Sequence, residues 1–183
     1  MSKLYLIAAI VTLFAIISPF QAQNFTLISE SSDQVVYQHE LDAFTENFVQ
    51  INGQAYQNFS KTVKIVSDHL GEPAMPYYST AVLLSNTGDV SFTVEFDSFY
   101  DIQGIDVTPS KGYLKRNVNP EDIPYTFGPV YQQNTFYPGE LAQLSEPFNF
   151  RKTRGVSIAI YPYQYNPVTH TLRVYENLRV KVN

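Results

Sequence analysis

Leu172-Arg173-Val174-Tyr175-Glu176-Asn177-Leu178-Arg179-Val180-Lys181-Val182 is the stretch that decides the fold class. Leu172, Val174, Leu178, Val180 and Val182 alternate with Arg173, Tyr175, Asn177, Arg179 and Lys181. A strand points successive side chains to opposite faces, so this order predicts one buried and one wetted face. Glu176-Asn177 reads as a bend or bulge within it. Working outward, Val156, Ile158 and Ile160 repeat the period. So do Val90, Phe92, Val94 and Phe96 against Ser91, Thr93 and Glu95. Further strands are expected over residues 34–37, 55–59, 63–66, 78–84 and 99–107. Residues 85–89 and Asn166-Pro167-Val168-Thr169 carry the chemistry of turns joining hairpin partners. From Asn24 onward no apolar run has helical spacing, and the 11 Pro and 8 Gly are scattered where they interrupt any long helix. The expectation is an all-β domain, a two-sheet antiparallel β-sandwich of eight or nine short strands, with a barrel as the alternative.

Near the start of the 183-residue chain, Lys3 precedes an apolar run over residues 4–17, followed by Ser18-Pro19, the pattern of a cleavable Sec-type signal peptide. The expected division is a leader over residues 1–22, cut after Ala22, and one β-sandwich domain over 23–183. The run is too short for a permanent span of a hydrocarbon core about 30 Å thick, so the product is expected in the periplasm, at the cell surface or secreted. There is no cysteine, which removes disulfides, thiolate metal sites and a cysteine nucleophile. Stability falls to packing, for which 14 Tyr and 13 Phe supply strand-favouring bulk. The net charge of −5 lacks the basic footprint that nucleic acid or an anionic membrane requires.

Catalytic patterns are missing. His39, His69 and His170 have no metal-ligand spacing and read as surface or loop residues. No nucleophile elbow, phosphate-cradling loop or dinucleotide fingerprint is present, and no cofactor is expected. Glu121 and Asp122, beside Pro120, read as a solvated turn rather than a glycosidase pair. The longest segment without strand pattern is 109–138, with Pro109, Pro120, Pro124, Pro129 and Pro138. Long loops in compact domains tend to carry function.

Gly71-Glu72-Pro73-Ala74-Met75-Pro76, Pro109-Ser110, Tyr137-Pro138-Gly139, Gln164-Tyr165-Asn166-Pro167 and the strands at 172–175 and 178–182 occur in an order that resembles the N-terminal propeptide of gingipain-family cysteine peptidases. The likeness covers roughly the last two thirds of the mature part. It implies a zymogen propeptide of Bacteroidetes-like bacteria that assists folding of a cysteine peptidase catalytic domain and inhibits it, the partner lying in the same precursor or in a separate chain. It also implies Arg or Lys specificity for that peptidase, so an exposed cation is the natural plug for its specificity pocket. The candidates are Lys115, Arg116 and Lys111 in the Pro-rich segment, with Arg151, Lys152 and Arg154 as a second basic run. The competing expectation is a non-catalytic surface module binding glycan or protein through Tyr161, Tyr163 and Tyr165.

Overall fold

The computed structural model describes residues 25–41, 44–61, 66–84 and 88–183. The expected leader at 1–22 lies outside the described residues, as do positions 63–65 of one expected strand and 85–87 of one expected turn. The described chain is all-β. In order, the strands are β1 (Phe25–Glu30), β2 (Val35–His39), β3 (Phe48–Ile51), β4 (Gln54–Gln57), β5 (Tyr78–Leu84), β6 (Phe92–Glu95), β7 (Ser98–Gln103), β8 (Ala142–Leu144), β9 (Phe148–Phe150), β10 (Thr153–Ile160), β11 (Tyr163–Asn166), β12 (Thr171–Glu176) and β13 (Leu178–Val182). Every pairing between them is antiparallel. Among the described residues no helix is long and apolar enough to cross a membrane.

One sheet has the order β1-β2-β13-β6. A second has β5-β10-β8, with β9 also pairing β10. A third has β11-β12-β7, and β3-β4 form a separate hairpin. The first two sheets enclose one core, in which Val82, Val156, Ile158, Ile160, Leu178, Val180 and Val182 are buried, as the alternating pattern requires. The third sheet continues the first around a corner. β6–β7 run against β12–β13 without loss of register, from Val182↔Phe92 to Thr171↔Gln103. Both chains bend at Asp97 and Asn177, and Asn177 takes φ 52, a left-handed conformation that Asn tolerates. The bend read at Glu176-Asn177 is this change of sheet. At the corner Asn177 donates to Asp97 Oδ2 at 3.0 Å and Arg179 pairs with Asp97 Oδ1 at 2.5 Å. Turning it also buries Tyr175, placed on the wet face by alternation alone, so that its ring meets Phe96 and its hydroxyl donates to Gln164.

A second core lies beyond the corner, where Phe59, Met75, Ile105, Val107, Tyr163, Tyr165, Leu172 and Val174 are buried together. Strands β1, β3, β8 and β9 have no clear signal in the sequence. In β1 only Phe25 is buried, and β8 and β9 are three-residue strands defined by their pairing to β10. The strand expected over 99–107 ends at Gln103 because Gly104 turns to φ 74, after which Val107 makes a single parallel bridge to Gln57. The turn read at Asn166 closes the β11–β12 hairpin, with Asn166 Oδ1 accepting from the Val168 and Thr169 amides.

Candidate functional site

The Pro-rich segment leaves the second core at Thr108 and Ser110, both buried, and returns at Gly128. Pro73 and Pro76 keep the strap 71–76 extended, and it lies beside the departing chain. Gly71 N donates to Ser110 O (3.0 Å), Ser110 N to Glu72 O (2.8 Å) and Ala74 N to Thr108 O (2.9 Å). The same Gly71 also receives the returning chain, its carbonyl accepting from Gly128 N at 2.7 Å. One glycine therefore grips both ends of the loop 111–127. It sits at φ 79, and a Cβ on it would lie 3.2 Å from Gly128 N; a Cβ on Gly128 would lie 2.9 Å from Gly71 O. Neither position has room for a side chain.

Behind the neck, Tyr131 donates to Val107 O at 2.8 Å and packs its ring on Phe127 and Tyr165. Tyr137 donates to Glu72 Oε2 at 2.6 Å, and Tyr165 to Asp106 Oδ1 at 2.8 Å. Burial holds the Tyr131, Tyr137 and Tyr165 hydroxyls well above their ordinary range, and the bonds to Glu72 and Asp106 push the latter two the same way. All three stay protonated and act as donors that pin the neck to the core.

The six candidate cations are used differently. Lys115 and Arg116 are exposed on a turn that the Val118 amide closes onto Lys115 O at 3.0 Å. Among the described residues neither carries an ion pair. Lys111 points back into its own loop, its Nζ donating to Pro120 O at 2.7 Å and lying 4.0 Å from the centre of the Tyr125 ring. Arg151 and Lys152 are the exposed central residues of the β9–β10 turn, Arg151 with φ 58 and its guanidinium 5.6 Å from the Phe150 ring. Arg154 donates to Gly88 O at 2.7 Å. The structure thus brings Lys111, Lys115 and Arg116 together on one clamped loop and leaves the second run elsewhere, on a hairpin.

Two other readings change. Tyr163 and Tyr165 are 3% and 1% exposed, so the tyrosine platform expected for a surface module does not exist; strand alternation turns both into the second core. His39 is no surface residue, being 1% exposed in β2 between the rings of Phe25 and Tyr78. His69 and His170 are exposed and face Glu72 and Asp106. Glu121 and Asp122 lie in an exposed turn of 3-10 helix that the Asn119 side chain caps. The Gly71 neck escaped sequence reasoning. Its signal was the Gly-x-Pro element, legible as an extended strap but silent about its partner.

The described residues form an antiparallel β-sandwich carrying a loop strapped at both ends, on which Lys115 and Arg116 are exposed. Residues 22–183 match the Propeptide_C25 family, and the chain belongs to that family. Gingipain R2 of Porphyromonas gingivalis is 34% identical over 157 residues, 86% of this chain and 21% of that protein. Gingipain R1 of the same organism is 41% identical over 113 residues, 62% of this chain and 11% of that protein. The chain therefore spans about a fifth of the one curated relative and about a tenth of the other. Among solved structures, the complex of Porphyromonas gingivalis RgpB pro- and mature domains aligns with TM-score 0.76 and 32% identity, covering 89% of this chain and 86% of that one. A structure concerned with the zymogenic latency of gingipain K shares the fold at TM-score 0.66 and 18% identity, covering 88% and 92%.

Proposed function

We propose that this chain is the exported propeptide of a gingipain-type cysteine peptidase, which assists folding of the catalytic domain and then holds it inactive. In this reading residues 1–22 are removed on export, 23–183 form the functional domain, and the cysteine nucleophile resides in the partner, within the same precursor or apart. The observation that carries the proposal is the clamped loop. In a domain of propeptide family, Lys115 and Arg116 are displayed on a closed turn with no ion pair among the described residues, a cation offered to a carboxylate in a specificity pocket. A peptidase cuts extended chain. The turn at 115–118, in a loop whose two ends Gly71 holds, presents the cation while resisting the extended geometry that cleavage needs. Fixing the loop beforehand also lowers the entropy lost on docking.

The test is inhibition of the mature domain of RgpB by the full chain and by the Lys115→Ala/Arg116→Ala double variant. Removing one partner of a buried charge pair typically costs about 2–5 kcal/mol, so the double variant is expected to inhibit roughly thirty-fold to several thousand-fold more weakly. Arg151→Ala serves as comparison. Equal inhibition by parent and double variant would remove the loop from the mechanism, and a larger loss at Arg151 would move the plug to the β9–β10 turn.

A further inference from the structure

The three cations of the loop divide into two that face outward and one that faces in. Lys111 Nζ reaches Pro120 O and the Tyr125 ring, nine and fourteen positions further along the chain. It closes a small ring inside the larger one closed by Gly71. Both ends of the inner ring are themselves fixed. On one side Gly112 N donates to Ser110 Oγ at 3.1 Å and Gly112 takes φ 73 against Leu70. On the other, Asn119 Oδ1 accepts from Glu121 N at 3.2 Å, capping the turn that begins at Pro120. An ammonium has three donors and no acceptor, and a carbonyl oxygen together with an aromatic face uses it without any anion. The chain between these anchors, 112–119, contributes no residue to either buried core cluster. Lys111 bridges it from end to end, from the residue just before it to the carbonyl of Pro120 just after it.

We propose that Lys111 is the positioning residue of the loop, a staple that keeps Lys115 and Arg116 in the geometry a partner accepts, and not a plug itself. This rests on the inhibitory reading given above. Without the staple the fold is intact, but the loop spends only part of its time in the competent shape. Apparent affinity then falls by that fraction. The docked contacts are the same once made, so the loss is carried by the association rate. A residue that touches the partner behaves differently, since contact variants act mostly on dissociation.

Two measurements on the full chain separate these cases. In the free chain, Lys111→Ala is expected to exchange the Gly112, Val118 and Asp122 amides several-fold faster, at unchanged melting temperature and unchanged exchange in β10. With the mature domain of RgpB as probe, its association rate is expected to fall about ten-fold while dissociation changes less than about two-fold. Lys111→Arg should restore most of both, because a guanidinium donates to the same carbonyl and stacks on the same ring. Unchanged amide exchange in free Lys111→Ala overturns the staple, and so does a faster dissociation at an unchanged association rate. Should the Lys115→Ala/Arg116→Ala chain bind as tightly as the parent, the inhibitory reading fails instead, and exchange in the free chain still decides the role of Lys111.

Discussion

The sandwich half and the loop half of this domain are stabilised by different means. Between the first two sheets, apolar side chains interlock across paired strands, and burial does nearly all the work. Around the strap and the Pro-rich segment, a few aromatic and aliphatic residues are buried, but the chain path is drawn by single hydrogen bonds from Gly71, Tyr131, Tyr137 and Lys111. The first kind of order is redundant, since removing one contact leaves many. The second is specific, because the loop between Ser110 and Gly128 is tied at a few named points. The proposed function, a stable domain that offers one loop to a partner, calls for both.

The sharpest way to break this comparison is to strike the redundant half where it is densest. Ile158 is fully buried at the centre of β10, and Ile158→Ala is expected to cost about 2–5 kcal/mol and to lower the melting temperature by roughly 10 °C. Because β12 and β13 pass through one continuous corner, calorimetry should still show a single transition. Two separate transitions would mean that the halves are independent domains.

A smaller effect is expected at the neck. Gly128→Ala places a methyl group 2.9 Å from Gly71 O, and relieving that contact should cost about 1–3 kcal/mol. It should also weaken inhibition of the RgpB mature domain and speed amide exchange at Gly71 and Ser110, leaving exchange in β10 unchanged. If the variant is as stable and as inhibitory as the parent, Gly71 is not a clamp.

The smallest expected effect concerns the corner that joins the halves. Hydrogen bonds from Arg179 and Asn177 hold the Asp97 carboxyl below its ordinary range, Arg173 does the same for Asp101, and Lys181 for Glu95. A lowered value in the folded state means that these groups stabilise the fold at neutral pH, and that the contribution is lost as pH falls through the folded values. All three are exposed, so the change is modest. The melting temperature should stay level from neutral pH down to the ordinary carboxylate range and decline below it. Asp97→Asn should make that decline shallower, and a rise in stability on acidification would contradict the assignment.

The two halves also differ in how far they can be read from sequence. β5 and the paired alternation at 172–182 were legible because period-two burial is a local property of a strand. Even there, Tyr175 was misplaced, since the bend at Asn177 turns it into the first core while Leu172 and Val174 enter the second. In the loop half the residues were visible but their roles were not. Lys111, Lys115 and Arg116 are equivalent as letters, and Tyr163 and Tyr165 resemble a surface platform until the third sheet, to which they belong, turns them into the second core.

The sequence by itself determined the all-β class, the strands of the main core and the absence of thiol chemistry, because composition and alternation act over neighbouring residues. Only the tertiary structure decided which of the six cations reach a partner among the described residues, where the sheet turns its corner and what the Gly-x-Pro strap binds. Those outcomes depend on atoms meeting from distant parts of the chain, Gly71 with Ser110 and Gly128, Lys111 with Tyr125, Asp97 with Asn177. No local pattern encodes such a meeting, because it is the packed core beneath that brings the partners within reach.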